Sequence, residues 1–133
     1  MKKVLTVLVA LLLVVSAIGV SASAAVSDPV LSPNWTNTSM VAPNITFANG
    51  VGYAELTATA KYSPKTFTVD TYVYIQSGSD WVYVTEQHDS KTGMSIGTSC
   101  PFTQVSGGYY KAEFYLTVSG GGATEELSFT AYG

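Results

Sequence analysis

The chain is poor in the residue types that most chemistry needs. Cys100 is the single cysteine, so no disulfide can form within the chain. There is no arginine. The six basic residues are all lysines, and two of them, Lys2 and Lys3, open the chain. A nucleic-acid binder needs a cationic face to neutralise phosphates, and none can be assembled here. An anionic membrane surface is excluded as a partner on the same ground. His88 is the only histidine. With Asp89 beside it and Lys91 nearby, it falls short of the three or four ligands a metal site requires, and the reading is a solvated loop with no metal and no cofactor. Phosphate-cradling loops are missing too, because Gly107-Gly108 and Gly120-Gly121-Gly122 precede strand-like segments instead of opening helices. No apolar stripe with helical spacing runs for ten residues after the N-terminus.

The N-terminus carries the one long apolar run. Lys2-Lys3 is followed by Val7-Leu8-Val9-Ala10-Leu11-Leu12-Leu13-Val14-Val15 and then by Val20-Ser21-Ala22-Ser23-Ala24-Ala25. That is the basic, apolar and small-residue order of a secretory signal helix, with Ala22 and Ala24 at the positions a signal peptidase reads. Residues 1–24 are therefore expected to be removed and the protein to be secreted. An uncleaved segment retaining it at the cell surface is the alternative, and the membrane is a partner only through this segment. The body left after cleavage holds four lysines against nine acids, a net charge of −5.

Alternation with a period of two dominates the body, where β-branched and aromatic residues abound. Residues 25–43 read as an extended leader and the start of a first strand, placed within 36–48 and interrupted near Pro43. Asn49-Gly50 signals a tight turn. Strands are expected over 51–61, 66–76, 81–87, 94–104, 109–118 and 125–132, with a polar loop from His88 to Gly93 and Pro101 marking an edge or bulged strand. In the third strand Phe67, Val69, Thr71, Val73 and Ile75 face one way, and Thr68, Asp70, Tyr72, Tyr74 and Gln76 the other. About seven short strands within 44–133 predict an all-β, two-sheet antiparallel sandwich, with a small β-barrel as the alternative.

Gly108-Tyr109-Tyr110-Lys111-Ala112 resembles the G-x-Y-x-C run of immunoglobulin-like sandwiches, with Ala112 in the place of the cysteine. The resemblance implies a disulfide-free immunoglobulin-like or fibronectin type III-like domain in which Tyr110 bonds back to its own corner. The run Gly78 to Val84, followed by Gly108 to Ala112 and Gly120 to Glu125, is similar to small exported proteins of Gram-positive bacteria without an established activity.

The candidate site is an aromatic stripe. If the third and sixth strands share a sheet, Tyr72 and Tyr74 lie near Tyr115, with Trp81 and Tyr83 on the flanking strand. Such rings stack on sugars or anchor proteins, and they also suit any half-exposed sheet. Cys100 and Tyr110 are assigned structural roles, Cys100 as a buried core residue. The acid pairs Glu125-Glu126 and Glu86/Asp89 are expected to solvate an edge and a loop. Three Asn-x-Ser/Thr triplets begin at Asn34, Asn37 and Asn44. The expected function is a non-catalytic module that binds an unknown protein or carbohydrate at the cell surface. Alternatives are a secreted toxin or bacteriocin-like effector and, further off, a small hydrolase using His88 with Asp89 or Cys100.

Overall fold

The computed structural model describes residues 29–32 and 34–133; the expected signal segment lies outside the described residues. Seven strands follow one another: β1 Thr38–Ala48, β2 Val51–Ala60, β3 Lys65–Ser77, β4 Asp80–Gly93, β5 Ser95–Thr103, β6 Tyr110–Ser119 and β7 Glu125–Tyr132. They form two antiparallel sheets, one in the order β1-β2-β5 and the other β4-β3-β6-β7. The sheets do not join into a closed barrel. Among the described residues there is no helix, and none that could cross a membrane.

The alternation in the sequence becomes the core. Ala54, Leu56 and Ala58 of β2 face Phe67, Val69 and Val73 of β3 and Ala112, Phe114, Leu116 and Val118 of β6 across the sandwich, all sealed from solvent. Ile96, Cys100 and Phe102 complete it from β5. Cys100 is buried, and burial, with Asp89 nearby, pushes its thiol pKa up. A thiol held protonated is a poor nucleophile. Gly52 is needed by packing: a Cβ there would meet the Phe102 ring at 2.2 Å. The Asn49-Gly50 turn has positive φ at both residues, as the tightest hairpin loops demand.

Three expectations change. Pro43 does not interrupt β1, which pairs with β2 continuously through it. β1 is an edge strand, and Val41 uses its outward N–H to pair with Val30 beyond the edge. Residues two apart point the same way, so the N–H that Pro43 lacks would face outside the ladder. The residues from His88 to Gly93 are not a loop: β4 runs on to Gly93, in register with β3 from Asp70 back to Lys65. Met94, expected to begin the fifth strand, lies outside it and is exposed.

Side chains stitch the two sheets where no backbone ladder does. On one flank Gln87 Nε2 donates to the Ser99 carbonyl at 3.0 Å. On the other, Glu125 at the start of β7 accepts from the Thr36 and Asn37 N–H groups at 2.7 and 3.2 Å and from the Thr38 hydroxyl at 2.8 Å. Glu125 thus ties the entry to β1 onto β7, a role beyond the edge solvation expected of it. Asn37 is buried, and its amide donates to the Val118 and Ala123 carbonyls. The corner before β6 is closed by Tyr110, whose hydroxyl accepts from the Val105 N–H at 2.7 Å and donates to the Thr103 carbonyl at 3.5 Å. Tyr110 itself is buried at this corner.

Candidate functional site

The outward residues of β4, β3, β6 and β7 form a second pattern, set by strand register. Rows run across the sheet, each about 7 Å from the next because residues two apart share a face. Tyr83, Tyr74, Lys111 and Tyr132 make one row; Glu86, Tyr72, Glu113 and Thr130 the next; then His88, Asp70, Tyr115 and Ser128; then Ser90, Thr68, Thr117 and Glu126. A bulge between Val73 and Tyr74 shifts the β4 register. It brings Tyr83 opposite Tyr74 and Glu86 opposite Tyr72, so both faces of β3 keep their partners. Aromatic rings crowd one end of the sheet, carboxylates and tyrosines hold its middle, and hydroxyl side chains finish it.

All five expected binding residues lie on this face. Tyr72 and Tyr115 meet edge to face with ring centres 5.9 Å apart, and Tyr74 and Tyr83 do so at 6.4 Å. Trp81, opposite Gln76 near the end of β3, meets Tyr109 and Tyr132 at 5.9 and 6.1 Å. Tyr109 and Tyr132 stack nearly parallel, 11° apart. Lys111 joins the two groups: its ammonium sits 4.9 Å from the ring centres of both Tyr74 and Trp81 and 3.1 Å from Glu113. Cation–π contacts of this kind are attractive because the ring faces are electron-rich, so the lysine braces the rings.

Neighbouring carboxylates act on two of the phenols, Tyr83 and Tyr115. The Tyr83 hydroxyl donates to Glu86 at 2.9 Å, and that bond, with lesser help from burial and the Glu86 charge, raises its pKa. The Glu113 charge, with burial and a hydroxyl–carboxylate bond at 3.3 Å, raises that of Tyr115. Both remain protonated donors well above neutral pH.

The histidine is placed differently from expectation. His88 contacts Asp70 across the β3–β4 ladder, Nδ1 to Oδ1, on the open sheet surface. Its sequence neighbour Asp89 instead accepts from Gln87 on the opposite side of β4. Among the described residues no group of three or more His, Cys, Asp or Glu side chains could hold a metal ion.

The sequence reasoning missed Tyr109, Tyr132 and Lys111. The signal for Tyr132 was its parity against the inward Ala131. Its meeting with Trp81 depends on β7 lying beside β6 and on Trp81 reaching across the sheet, neither of which local alternation records.

No family model matches the chain, and no curated protein matches it. The similarity to small exported Gram-positive proteins therefore finds no counterpart among them. Among solved structures, the solution structure of R. palustris CsgH is similar at 14% sequence identity and a TM-score of 0.44, over 69% of this chain and 87% of that one.

Proposed function

We propose that the protein is an exported, non-catalytic binding module, a disulfide-free immunoglobulin-like sandwich whose contact surface is the outer face of the β4-β3-β6-β7 sheet, and that it takes carbohydrate at a cell surface. The carrying observation is the gathering of Tyr72, Tyr74, Trp81, Tyr83, Tyr109, Tyr115 and Tyr132 on that one face. Flat rings offered to solvent are the surfaces on which sugar rings stack. They are also held rigid by one another and by Lys111, which lowers the entropy lost on binding. The corner hydrogen bonds of Tyr110 support the immunoglobulin-like assignment. A non-catalytic role is supported by the buried Cys100 thiol and by a His88 whose partner is the exposed Asp70.

The test is retention of the full chain on a panel of polysaccharides and cell-wall fractions, with Tyr74→Ala and Trp81→Ala compared against it. Each substitution is expected to weaken retention about tenfold or more, the usual loss for an aromatic hot spot. Binding that survives both substitutions unchanged would place the contact surface elsewhere.

A further inference from the structure

The charges on this face narrow its ligand. Two shallow grooves flank Tyr115. One, of about 330 Å³, is lined by Asp70, Tyr72, Tyr74 and Tyr115. The other, of about 300 Å³, opens between β6 and β7 and includes Tyr115, Thr117 and Glu126. Each groove thus has one carboxylate, and the two share one ring. Asp70 keeps 41% of its side chain exposed although His88 contacts one of its oxygens. The lysine of this face, Lys111, is already paired with Glu113 and covered by Tyr74 and Trp81. An anionic chain would therefore meet carboxylates with no uncommitted lysine in their row or the next.

Resting on the carbohydrate reading above, we propose that the path across Tyr115 binds an unbranched amino-sugar polymer, its rings lying on the tyrosines and its ammonium groups meeting Asp70 and Glu126. Asp70 is the register partner of Tyr115, and Glu126 is that of Thr117, two residues along β6. Strand spacing and rise put the two carboxylates about 12 Å apart, a span that a linear trisaccharide covers. A cationic peptide has the right charge, but peptide recognition relies on pockets for anchoring side chains, and these grooves are open and shallow. Sugar rings need only a flat surface and hydrogen-bond partners along it. Charge-assisted bonds from ammonium to carboxylate would supply the preference over neutral sugars.

Calorimetry on the full chain at low salt and mildly acidic pH, where the sugar amines are protonated and Asp70 and Glu126 can still be ionised, tests this with four probes: a glucosamine tetrasaccharide, its N-acetylated counterpart, a galacturonate tetrasaccharide and a tetralysine peptide. The glucosamine chain is expected to bind about tenfold more tightly than the acetylated one, and the galacturonate chain not at all. Asp70→Asn and Glu126→Gln should each weaken glucosamine binding about threefold, as for exposed ion pairs, and leave the acetylated chain unaffected. Tyr115→Ala should weaken both. Equal affinity for the two glucosamine chains overturns the amino-sugar inference while leaving the carbohydrate module standing. Tetralysine binding as tightly as the sugar overturns it in favour of a peptide ligand. No binding of either sugar overturns the amino-sugar inference, and retention on the polysaccharide panel then decides the carbohydrate reading on its own.

Discussion

The two sheets present outer faces built by the same rule and filled differently. On β1-β2-β5 the outward rows are Ala42, Thr57 and Gly97; Asn44, Glu55 and Ser99; and Thr46, Tyr53 and Pro101. Small and hydroxyl residues suffice there, with one aromatic. On β4-β3-β6-β7 seven aromatic rings share the outer face. If tyrosines were present merely because they suit a pleated, half-exposed surface, both faces should carry them. The core does not ask for them either, since they point away from it. The difference separates what folding needs from what is left free for contact.

The sharpest way to break this comparison is within a single strand. Phe114 and Tyr115 are adjacent on β6, one sealed in the core and the other on the outer face. Phe114→Ala should cost about 3–5 kcal/mol of unfolding free energy, through lost burial and the cavity left behind. Tyr115→Ala should cost no more than about 1 kcal/mol. Urea titration of both variants decides it: a Tyr115 loss as large as that of Phe114 would make the outer rings part of the scaffold.

The seam between the sheets offers a second test. Burial opposes the Glu125 charge, but the bonds from Thr38, Thr36 and Asn37 outweigh it and hold its pKa below the ordinary glutamate value. A depressed carboxylate pKa contributes stability above its unfolded value, about 4.3, and loses it as pH falls through the folded pKa. Glu125→Gln should therefore be less stable than the parent at neutral pH, with the gap closing on acidification. Denaturation midpoints measured from neutral to acidic pH will show this; a gap independent of pH would mean that the carboxylate charge contributes nothing to the clamp.

The smallest expected effect lies inside. Thr71 is buried in β3 among Phe67, Val69 and Val73, and its hydroxyl has no hydrogen-bond partner among the described residues. Thr71→Val keeps the shape and removes an unsatisfied polar atom, so it should raise stability by about 1 kcal/mol. A thermal melt that moves downward instead would show that the hydroxyl is satisfied in solution.

Much of the fold was legible. The strict alternation of β3 placed Tyr72 and Tyr74 outward, Asn49-Gly50 marked the hairpin between β1 and β2, and Gly108 to Ala112 marked the corner that Tyr110 closes. The second half of β4 was not, because a strand at an open edge needs no apolar alternation: Glu86, His88, Ser90 and Lys91 stay in register with β3 while their side chains remain in water. Glu125 was likewise hidden, since its partners Thr36, Asn37 and Thr38 lie almost the whole domain away in sequence.

The amino-acid pattern by itself determined that this chain makes strands, which residues of most of them turn inward, and that no disulfide or cationic face is available. These follow from local rules: a period of two, turn chemistry and a count of residue types. Tertiary structure alone decided that Trp81 meets Tyr109 and Tyr132, that Lys111 lies between Tyr74 and Trp81, and that His88 stands against Asp70 and not Asp89. Those contacts depend on strand order, on register and on the bulge after Val73, which arise from the packing of two whole sheets and leave no mark on any one segment.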